Sequence, residues 1–210
     1  MDASNHVQCW KEAKSMARYL IMGPPGAGKG THATNIADRF GVPAISTGAM
    51  FRSEIASGSE LGKQVDALVQ SGALVPDELT DKVLASRLAQ PDAAGGWLLD
   101  GYPRTLEQVA TLDAMLADQG AALDGVLMLD VPREEVIRRL MNRATIEGRA
   151  DDTPDVIGHR QAVYEAQTAP VVAEYETRGL VVHIDASGTI EESGINVSRA
   201  LDAHEAHHAE

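Results

Sequence analysis

A single segment, residues 23–31 with the sequence GPPGAGKGT, limits the possible folds of this chain more than any other feature. It matches the phosphate-binding loop pattern G-x-x-x-x-G-K-[ST], except that Gly30 stands between Lys29 and the hydroxyl residue Thr31. Its glycines allow successive backbone N–H groups to turn toward an anion, and a helix that follows directs its positive dipole end to the same place. The segment therefore predicts a strand–loop–helix unit that binds the phosphates of a nucleotide, without indicating the acceptor of a phosphoryl group.

Short apolar runs alternate with longer helical patterns along most of the chain. The runs are nearly continuous, which is typical of parallel strands that are buried on both faces. Strands and helices in alternation predict an α/β fold, in which helices flank a parallel five-stranded sheet. We expect strands at residues 17–22, 44–45, 97–99, 125–129 and 180–184, and helices at residues 29–40, 105–117, 133–140 and 154–176.

Two segments interrupt this alternation. Residues 47–75 carry helical patterns without a strand, and residues 142–160 are polar, charged and poorly periodic. Because segments inserted at the carboxyl ends of parallel strands form binding sites and lids, we expect two mobile flaps on a rigid core. The predicted division is a core of residues 17–45, 76–141 and 161–201, flaps at residues 46–75 and 142–160, an N-terminal extension of residues 1–16, and a disordered tail of residues 202–210.

The composition argues against several classes of function. A formal net charge of −13 disfavours binding to nucleic acid, which needs a basic surface. The single cysteine, Cys9, precludes an intrachain disulfide and fits a reducing compartment. No apolar run reaches the roughly 18 residues that span a bilayer, and residues 1–16 lack the apolar region of a signal peptide. We therefore expect a cytoplasmic protein without membrane or nucleic-acid partners, and the sequence leaves open whether Met16 is the native start.

Four further segments, together with the phosphate-binding loop, carry a resemblance to a known family. They are residues 45–52 (ISTGAMFR), 99–104 (LDGYPR), 142–143 (NR) and 148–153 (GRADDT). In this order they resemble the nucleoside monophosphate kinases, and most closely the adenylate kinases with a short lid, from about Tyr19 to about Ala200. The resemblance implies a P-loop fold with a flap that binds the monophosphate, called the NMP flap below (residues 46–75), and a short lid (residues 142–160). It also implies a monomer that reversibly transfers the terminal phosphoryl group of MgATP to AMP, giving two ADP.

The resemblance assigns roles to the matched positions. The catalytic residues it implies are Lys29, Arg104, Arg143, Arg149 and Arg160. The implied ATP-binding residues are Gly26, Ala27, Gly28, Lys29, Gly30, Thr31, Arg139, Arg143 and Gly188. The implied AMP-binding residues are Thr47, Arg52, Ala73, Leu74, Val75, Gly101, Tyr102, Pro103, Arg104, Gln108, Arg149 and Arg160.

Basic residues of this kind are what phosphoryl transfer needs, because the reaction depends on alignment, charge neutralisation and exclusion of water. Arg52 and Arg104 resemble the residues that hold the acceptor phosphate, and Arg139 resembles the residue that packs against the donor base. Arg143, Arg149 and Arg160 resemble lid residues that close over the transferred phosphoryl group. Local concentration of these charges in one cleft would explain how an acidic chain binds polyphosphates. Each arginine taken alone is equally compatible with a solvated surface charge.

Asp100 is the candidate ligand for a metal ion. It follows a buried strand next to the strand of the phosphate-binding loop, where a carboxylate can hold Mg²⁺ through water. The alternative is an aspartate that caps a helix or a turn. Long-lid relatives insert a subdomain that sometimes carries zinc, whereas only residues 144–148 separate Arg143 from Arg149 here. We therefore expect Mg²⁺ bound with ATP and no structural zinc.

Two residues favour AMP as the acceptor. In having Thr47 and Gln108, the chain resembles the adenylate kinases. The amide of Gln108 offers both a hydrogen-bond donor and an acceptor to the edge of a base. UMP/CMP kinases typically carry alanine in place of Thr47, and asparagine where Thr105 follows Arg104. Ala49 and His32 depart from many relatives, and we expect little effect of either. The short lid leaves the choice between ATP and GTP as donor open.

Other functions remain compatible with parts of the sequence. A UMP/CMP kinase is the nearest alternative. A small-metabolite kinase would share the phosphate-binding loop but would not combine it with residues 46–48 and 100–104. A nucleotide-binding module that transfers nothing, or an inactive relative, would show no turnover that depends on AMP.

Overall fold

The computed structural model, which describes residues 17–147 and 153–208, has an α/β architecture built on one sheet. The sheet contains β1 (Ala17–Met22), β2 (Ala44–Ser46), β3 (Gly96–Asp100), β4 (Gly125–Asp130) and β5 (Val181–Asp185). The strands are all parallel and lie in the order β2-β3-β1-β4-β5. The predicted parallel five-stranded sheet is confirmed, and each predicted strand agrees with an observed one to within one residue at either end.

Helices connect the strands and cover both faces of the sheet. They are α1 (Lys29–Phe40), α2 (Thr47–Ser57), α3 (Glu60–Ser71), α4 (Asp77–Leu88), α5 (Leu106–Asp118), α6 (Arg133–Glu147), α7 (Pro154–Val163), α8 (Ala169–Thr177) and α9 (Ile190–His208). A π-helical segment, Tyr164–Thr168, joins α7 to α8, so the helix predicted at residues 154–176 has a π-helical interior. None of the helices that the structure describes combines the length and the apolar character needed to cross a bilayer.

The central strand β1 shows why its sequence is apolar without alternation. Leu20 and Met22 pack into a core cluster that includes residues of α5 and α8 on one face of the sheet. Tyr19 and Ile21 pack into a second cluster, with residues of α1 and α9, on the opposite face. Both faces of the strand are therefore buried, so every position favours an apolar side chain. This is the continuous pattern from which the parallel sheet was predicted.

The C-terminal segment differs from the prediction of a disordered tail at residues 202–210. Helix α9 continues to His208, and only residues 209–210 of this segment lie outside the described range. Asp202 and Glu205 lie one turn apart on α9 and both accept hydrogen bonds from Arg39 of α1, at 2.7 and 2.6 Å. His204 contacts the carbonyl of Asp124 at 3.1 Å. The prediction was wrong because hydrogen bonds of polar side chains, rather than apolar contacts, hold this segment against the core. Their partners are distant in sequence, so no local pattern indicates them.

The two flaps have simple helical structures. The NMP flap consists of α2 and α3, which follow β2 directly. The described residues of the lid segment belong mainly to the end of α6 and the beginning of α7, so α6 extends beyond the helix predicted at residues 133–140. Residues 148–152, which include Arg149, and the extension of residues 1–16 lie outside the described part of the chain. The mobility of both flaps stays a prediction.

The NMP flap depends on a close approach of its two helices at Gly62. A Cβ atom at this position would overlap the carbonyl group of Glu54 and lie 2.7 Å from the backbone nitrogen of Ile55. We expect Gly62→Ala to separate α2 from α3, to destabilise the fold by about 1–3 kcal/mol and to raise the KM for the monophosphate that the resemblance assigns to this flap. Thermal unfolding and steady-state kinetics measure the two effects.

A matched control for this substitution lies on α9. Gly194 is also inside a helix, and a Cβ added there would meet nothing within 4 Å. Gly194→Ala should stabilise the protein by roughly 0.5–1 kcal/mol, since alanine favours a helix over glycine. Equal melting temperatures for the two variants would show that the α2–α3 contact tolerates a methyl group.

Candidate active site

The phosphate-binding loop lies at the carboxyl end of β1, where the order of the sheet changes direction. Strand β1 is paired with β3 on one side and β4 on the other, which places the loop at a topological switch point. Gly26 and Gly28 have φ angles of 93° and 92°, a conformation that favours glycine. Helix α1 begins at Lys29, so the last three residues of the loop segment form the start of the helix. The predicted strand–loop–helix unit is therefore confirmed.

Lys29 lies at the centre of the loop. Its ammonium group donates hydrogen bonds to the carbonyl oxygens of Gly23 at 2.7 Å and Pro24 at 3.0 Å. Part of its surface stays open to the adjoining cavity, but desolvation by the surrounding protein lowers the pKa of Lys29 to about 8, with Asp100 opposing this change. A polyphosphate in the cavity would offer the ammonium group the negative charge that favours its protonated form.

The turn after β3 lies against the start of the NMP flap. The Thr47 hydroxyl donates to the carbonyl of Gly101 at 3.0 Å, and the Arg104 Nε donates to the same carbonyl at 2.8 Å. Burial lowers the pKa of Arg104, although the guanidinium stays charged at neutral pH. The turn also contains the cis peptide bond between Tyr102 and Pro103. These contacts place Arg104 between the phosphate-binding loop and the flap.

Gln108 is buried beside this turn, at 2% exposure. Its amide oxygen accepts a hydrogen bond from the backbone N–H of Arg104 at 2.7 Å, and its amide nitrogen donates to Asp77 at 2.7 Å. Gln108 also lines a small cavity next to the main one. The structure therefore places this amide at the small cavity and gives it two protein partners that the sequence did not indicate, and its contact with a base stays a prediction.

One cavity of about 740 Å³ collects most of the predicted site residues. The residues lining it include Gly26, Gly28, Lys29, Gly30, Thr31, Arg52, Leu74, Asp100, Gly101, Tyr102, Pro103, Arg104, Arg139, Arg143, Arg160 and Gly188. The adjoining small cavity is lined in part by Thr47, Ala73, Val75 and Gln108. Ala27 is fully buried and lines neither, while Arg149 lies outside the described residues. Their individual roles remain predictions.

Arg139 lines the main cavity beside the phosphate-binding loop. Its guanidinium donates to the carbonyls of Ala27 at 3.3 Å, Ala186 at 2.8 Å and Gly188 at 3.0 Å. Glu135, one turn earlier on α6, pairs with the same guanidinium and also accepts the N–H of Gly188. Arg139 therefore fixes the loop after β5 against the phosphate-binding loop.

The lid arginines within the described residues come from two helices. Arg143 lies near the end of α6 and Arg160 lies on α7, and both line the main cavity. Helix α7 also contacts α3 of the NMP flap, where a Cβ at Gly72 would overlap the Arg160 side chain. The NMP flap and the lid segment thus touch across the mouth of the cavity.

The acidic residue expected to hold Mg²⁺ lies inside the cavity. Asp100, at the end of β3, accepts a hydrogen bond from the Ser46 hydroxyl at 3.2 Å, and Thr31 lines the same cavity. Among residues 17–147 and 153–208, no cluster of three or more His, Cys, Asp or Glu side chains could hold a metal ion by itself. One carboxylate and one hydroxyl fit a cation that takes its remaining oxygen ligands from water and substrate phosphates, as Mg²⁺ does.

Several polar residues of the site were missed by the sequence analysis. Gln161 is buried on α7 and donates to the carbonyl of Pro25 in the phosphate-binding loop at 3.1 Å. Thr168, in the π-helical segment, donates to the carbonyl of Arg104 at 3.1 Å. His32, which the sequence analysis noted only as a departure from many relatives, forms a buried pair with Ser193 at 3.0 Å. A polar residue inside a helix was the signal for each, but only the fold shows its partner.

Comparison with known proteins places the chain in a family. The model of the adenylate kinase family matches residues 21–180. Among similar curated proteins, an adenylate kinase of Kocuria rhizophila is 50% identical over 187 residues, which cover 89% of this chain and all of that protein. An adenylate kinase of Thermobifida fusca is 54% identical over 175 residues, covering 83% of this chain and 93% of that protein. Together with the phosphate-binding loop and the cavity that it adjoins, these matches show that the chain belongs to the adenylate kinase family.

Proposed function

We propose that the main cavity catalyses the reversible transfer of the terminal phosphoryl group of MgATP to AMP, producing two ADP. The observation that carries the proposal is the set of cations around one cavity: Lys29 at the phosphate-binding loop, Arg104 on the acceptor side, and Arg143 and Arg160 on the lid helices. They come from four separate parts of the chain, and the family match supplies the reaction that needs them. A binding module without transfer would need only the first of these groups.

On the donor side, ATP lies along the phosphate-binding loop. The backbone N–H groups of the loop and the N-terminus of α1 bind its phosphates, and Lys29 adds a full positive charge. Lys29 would exchange its hydrogen bonds to the carbonyls of Gly23 and Pro24 for phosphate oxygens. Arg139 and the loop that carries Gly188 enclose the nucleoside.

On the acceptor side, AMP lies under the NMP flap with its phosphate between Arg52 and Arg104. A guanidinium binds a phosphate through two parallel hydrogen bonds, which fixes its orientation. Thr47 and Gln108, beside residues 73–75, line the small cavity that would receive the base. This arrangement points the acceptor phosphate toward the phosphate-binding loop.

Closure of the two flaps completes the site. Water must be excluded, since it would otherwise accept the phosphoryl group. Arg143 and Arg160 then neutralise charge that develops on the transferred group, as arginines do in other phosphoryl transfers. Asp100 and Thr31 are the residues that would hold Mg²⁺ with the phosphates. The metal ion supplies charge neutralisation at the phosphate oxygens.

The proposal extends to the setting in which the enzyme works. The family match supports ATP, AMP and ADP as the partners, and the monomer follows from the family resemblance. The acidic net charge supports a protein that does not bind nucleic acid. The single cysteine supports a reducing compartment such as the cytoplasm.

A coupled assay with MgATP and four separate acceptors tests this proposal. We expect rapid ADP formation with AMP and turnover at least about 100-fold lower in kcat/KM with UMP, CMP or GMP, because a polar site rejects bases that leave its groups unpaired. Replacing ATP by GTP measures donor selectivity in the same assay. Preference for UMP or CMP would replace the proposed acceptor, and absence of turnover with all four would reject the enzymatic function.

A further inference from the structure

A carboxylate outside the predicted site accepts a hydrogen bond from the amide of Gln108. Asp77 is the first residue of α4, two positions after the end of the NMP flap. One of its oxygens accepts from the Gln108 amide nitrogen at 2.7 Å, and the other accepts from the Thr105 hydroxyl at 2.7 Å. Thr105 in turn accepts the backbone N–H of Gln108 as the N-cap of α5. Asp77 therefore fixes the amide from a position that is itself held by α5.

The opposite end of the amide has an equally defined partner. The backbone N–H of Arg104 can only donate, so it requires the amide oxygen of Gln108, which it meets at 2.7 Å. An ionised carboxylate can only accept, so Asp77 requires the amide nitrogen. A reversed amide would place oxygen against carboxylate and NH₂ against N–H. Two independent partners thus select the same orientation.

This fixed orientation decides which base the amide can read. After its two protein contacts, Gln108 keeps one N–H and one oxygen lone pair, and it lines the cavity proposed for the acceptor base. Adenine presents a ring nitrogen acceptor next to an amino donor. Hypoxanthine has nearly the same size and presents a ring N–H donor next to a carbonyl acceptor, which is the reverse pattern. An amide free to rotate could bind either base, whereas a fixed amide favours one.

We infer that Asp77 is a specificity-determining positioning residue, which holds the Gln108 amide in the orientation that favours adenine over 6-oxopurines. The inference rests on the proposed function, because it explains how the proposed acceptor site would select its base. Asp77 acts through Gln108 and is not itself a base contact. The same hydrogen-bond chain reaches the backbone of Arg104, so Asp77 also steadies the residue that holds the acceptor phosphate.

Equilibrium binding of AMP and IMP, measured by calorimetry on the full chain, tests the inference without requiring turnover. In Asp77→Ala we expect the Kd for AMP to rise about tenfold and the ratio of IMP to AMP affinity to rise by about tenfold, since only Arg104 then orients the amide. In Asp77→Asn, whose amide can rotate together with Gln108, the affinity ratio should rise while the AMP affinity falls less. The Kd for MgATP should stay within about twofold in both.

Glu78→Gln is the matched control. Glu78 is exposed on the same first turn of α4, so this variant removes the same charge near the same helix terminus. It should leave the IMP-to-AMP ratio unchanged. If Asp77→Ala is too unstable to measure, Asp77→Asn decides the question, because it preserves the size of the side chain.

Two results would overturn the inference. An unchanged IMP-to-AMP ratio in Asp77→Asn and Asp77→Ala would show that Asp77 only ties α4 to α5. Equal weakening of AMP, IMP and MgATP would show a general structural role. Failure of the proposed function has a different signature: the wild-type chain would bind AMP and show the dependence on Asp77, yet produce no ADP from MgATP and AMP.

Discussion

Replacing Arg104 by alanine should reduce kcat/KM for AMP by about 10³-fold, the largest loss expected from any acceptor-side substitution. Arg104 is held at three points of the turn: its Nε donates to Gly101, its N–H to Gln108, and its carbonyl accepts from Thr168. The guanidinium is therefore preorganised to receive a phosphate. Removing it leaves the acceptor phosphate with less neutralising charge and without a fixed orientation.

Two further variants separate charge from geometry. Arg104→Lys keeps the positive charge but loses the planar fork, so we expect an intermediate loss of about 10²-fold in kcat/KM. Arg87→Ala removes an arginine that pairs with Asp92 on the surface, at 2.7–2.8 Å, and should leave the kinetics unchanged. Steady-state kinetics at saturating MgATP measures all three. Activity of Arg104→Ala within about tenfold of wild type would contradict the proposed acceptor clamp.

Replacing Lys29 by methionine should reduce kcat by about 10³-fold, since it removes the positive charge at the phosphate-binding loop. Methionine has a similar length and no charge, so it fits the space between Gly23 and α1. The substitution also removes an ammonium group whose desolvation lowers its pKa to about 8. We therefore expect a melting temperature at or above that of wild type, together with the loss of turnover.

The combination of these two measurements identifies the role of Lys29. Loss of activity with retained stability is the expected pattern for a residue that acts on the phosphates. A melting temperature clearly below that of wild type would instead mean that the bonds from Lys29 to Gly23 and Pro24 support the loop. Near-normal turnover in Lys29→Met would contradict the account of the donor site.

The sequence predicted the parallel sheet well because local patterns determine it. Strand β1 is buried on both faces, so five of its six positions carry the apolar side chains that mark a parallel strand. The phosphate-binding loop was equally easy to predict, because its glycines and Lys29 must follow one another at fixed spacing. Both features are encoded within about ten neighbouring residues, where pattern analysis is strongest.

Contacts between distant residues could not be predicted in the same way. Arg39 orders the C-terminal turns of α9 through Asp202 and Glu205, more than 160 positions later in the chain. Asp77 and Gln108 are 31 positions apart, and neither residue indicates from the sequence that the other is its partner. In both cases the partners come together only because the sheet brings their helices side by side. Such hydrogen bonds depend on topology, and a charge or an amide in a sequence fits many partners equally well.

Incubation of the chain with MgADP alone tests the central claim most directly. The account states that one cavity transfers a phosphoryl group between two adenine nucleotides, so ADP should be converted to equal amounts of ATP and AMP until equilibrium, as followed by phosphorus NMR. Arg104→Ala should slow this approach by about 10³-fold. Release of inorganic phosphate in place of ATP and AMP, or persistence of ADP in the presence of the wild-type chain, would contradict the account.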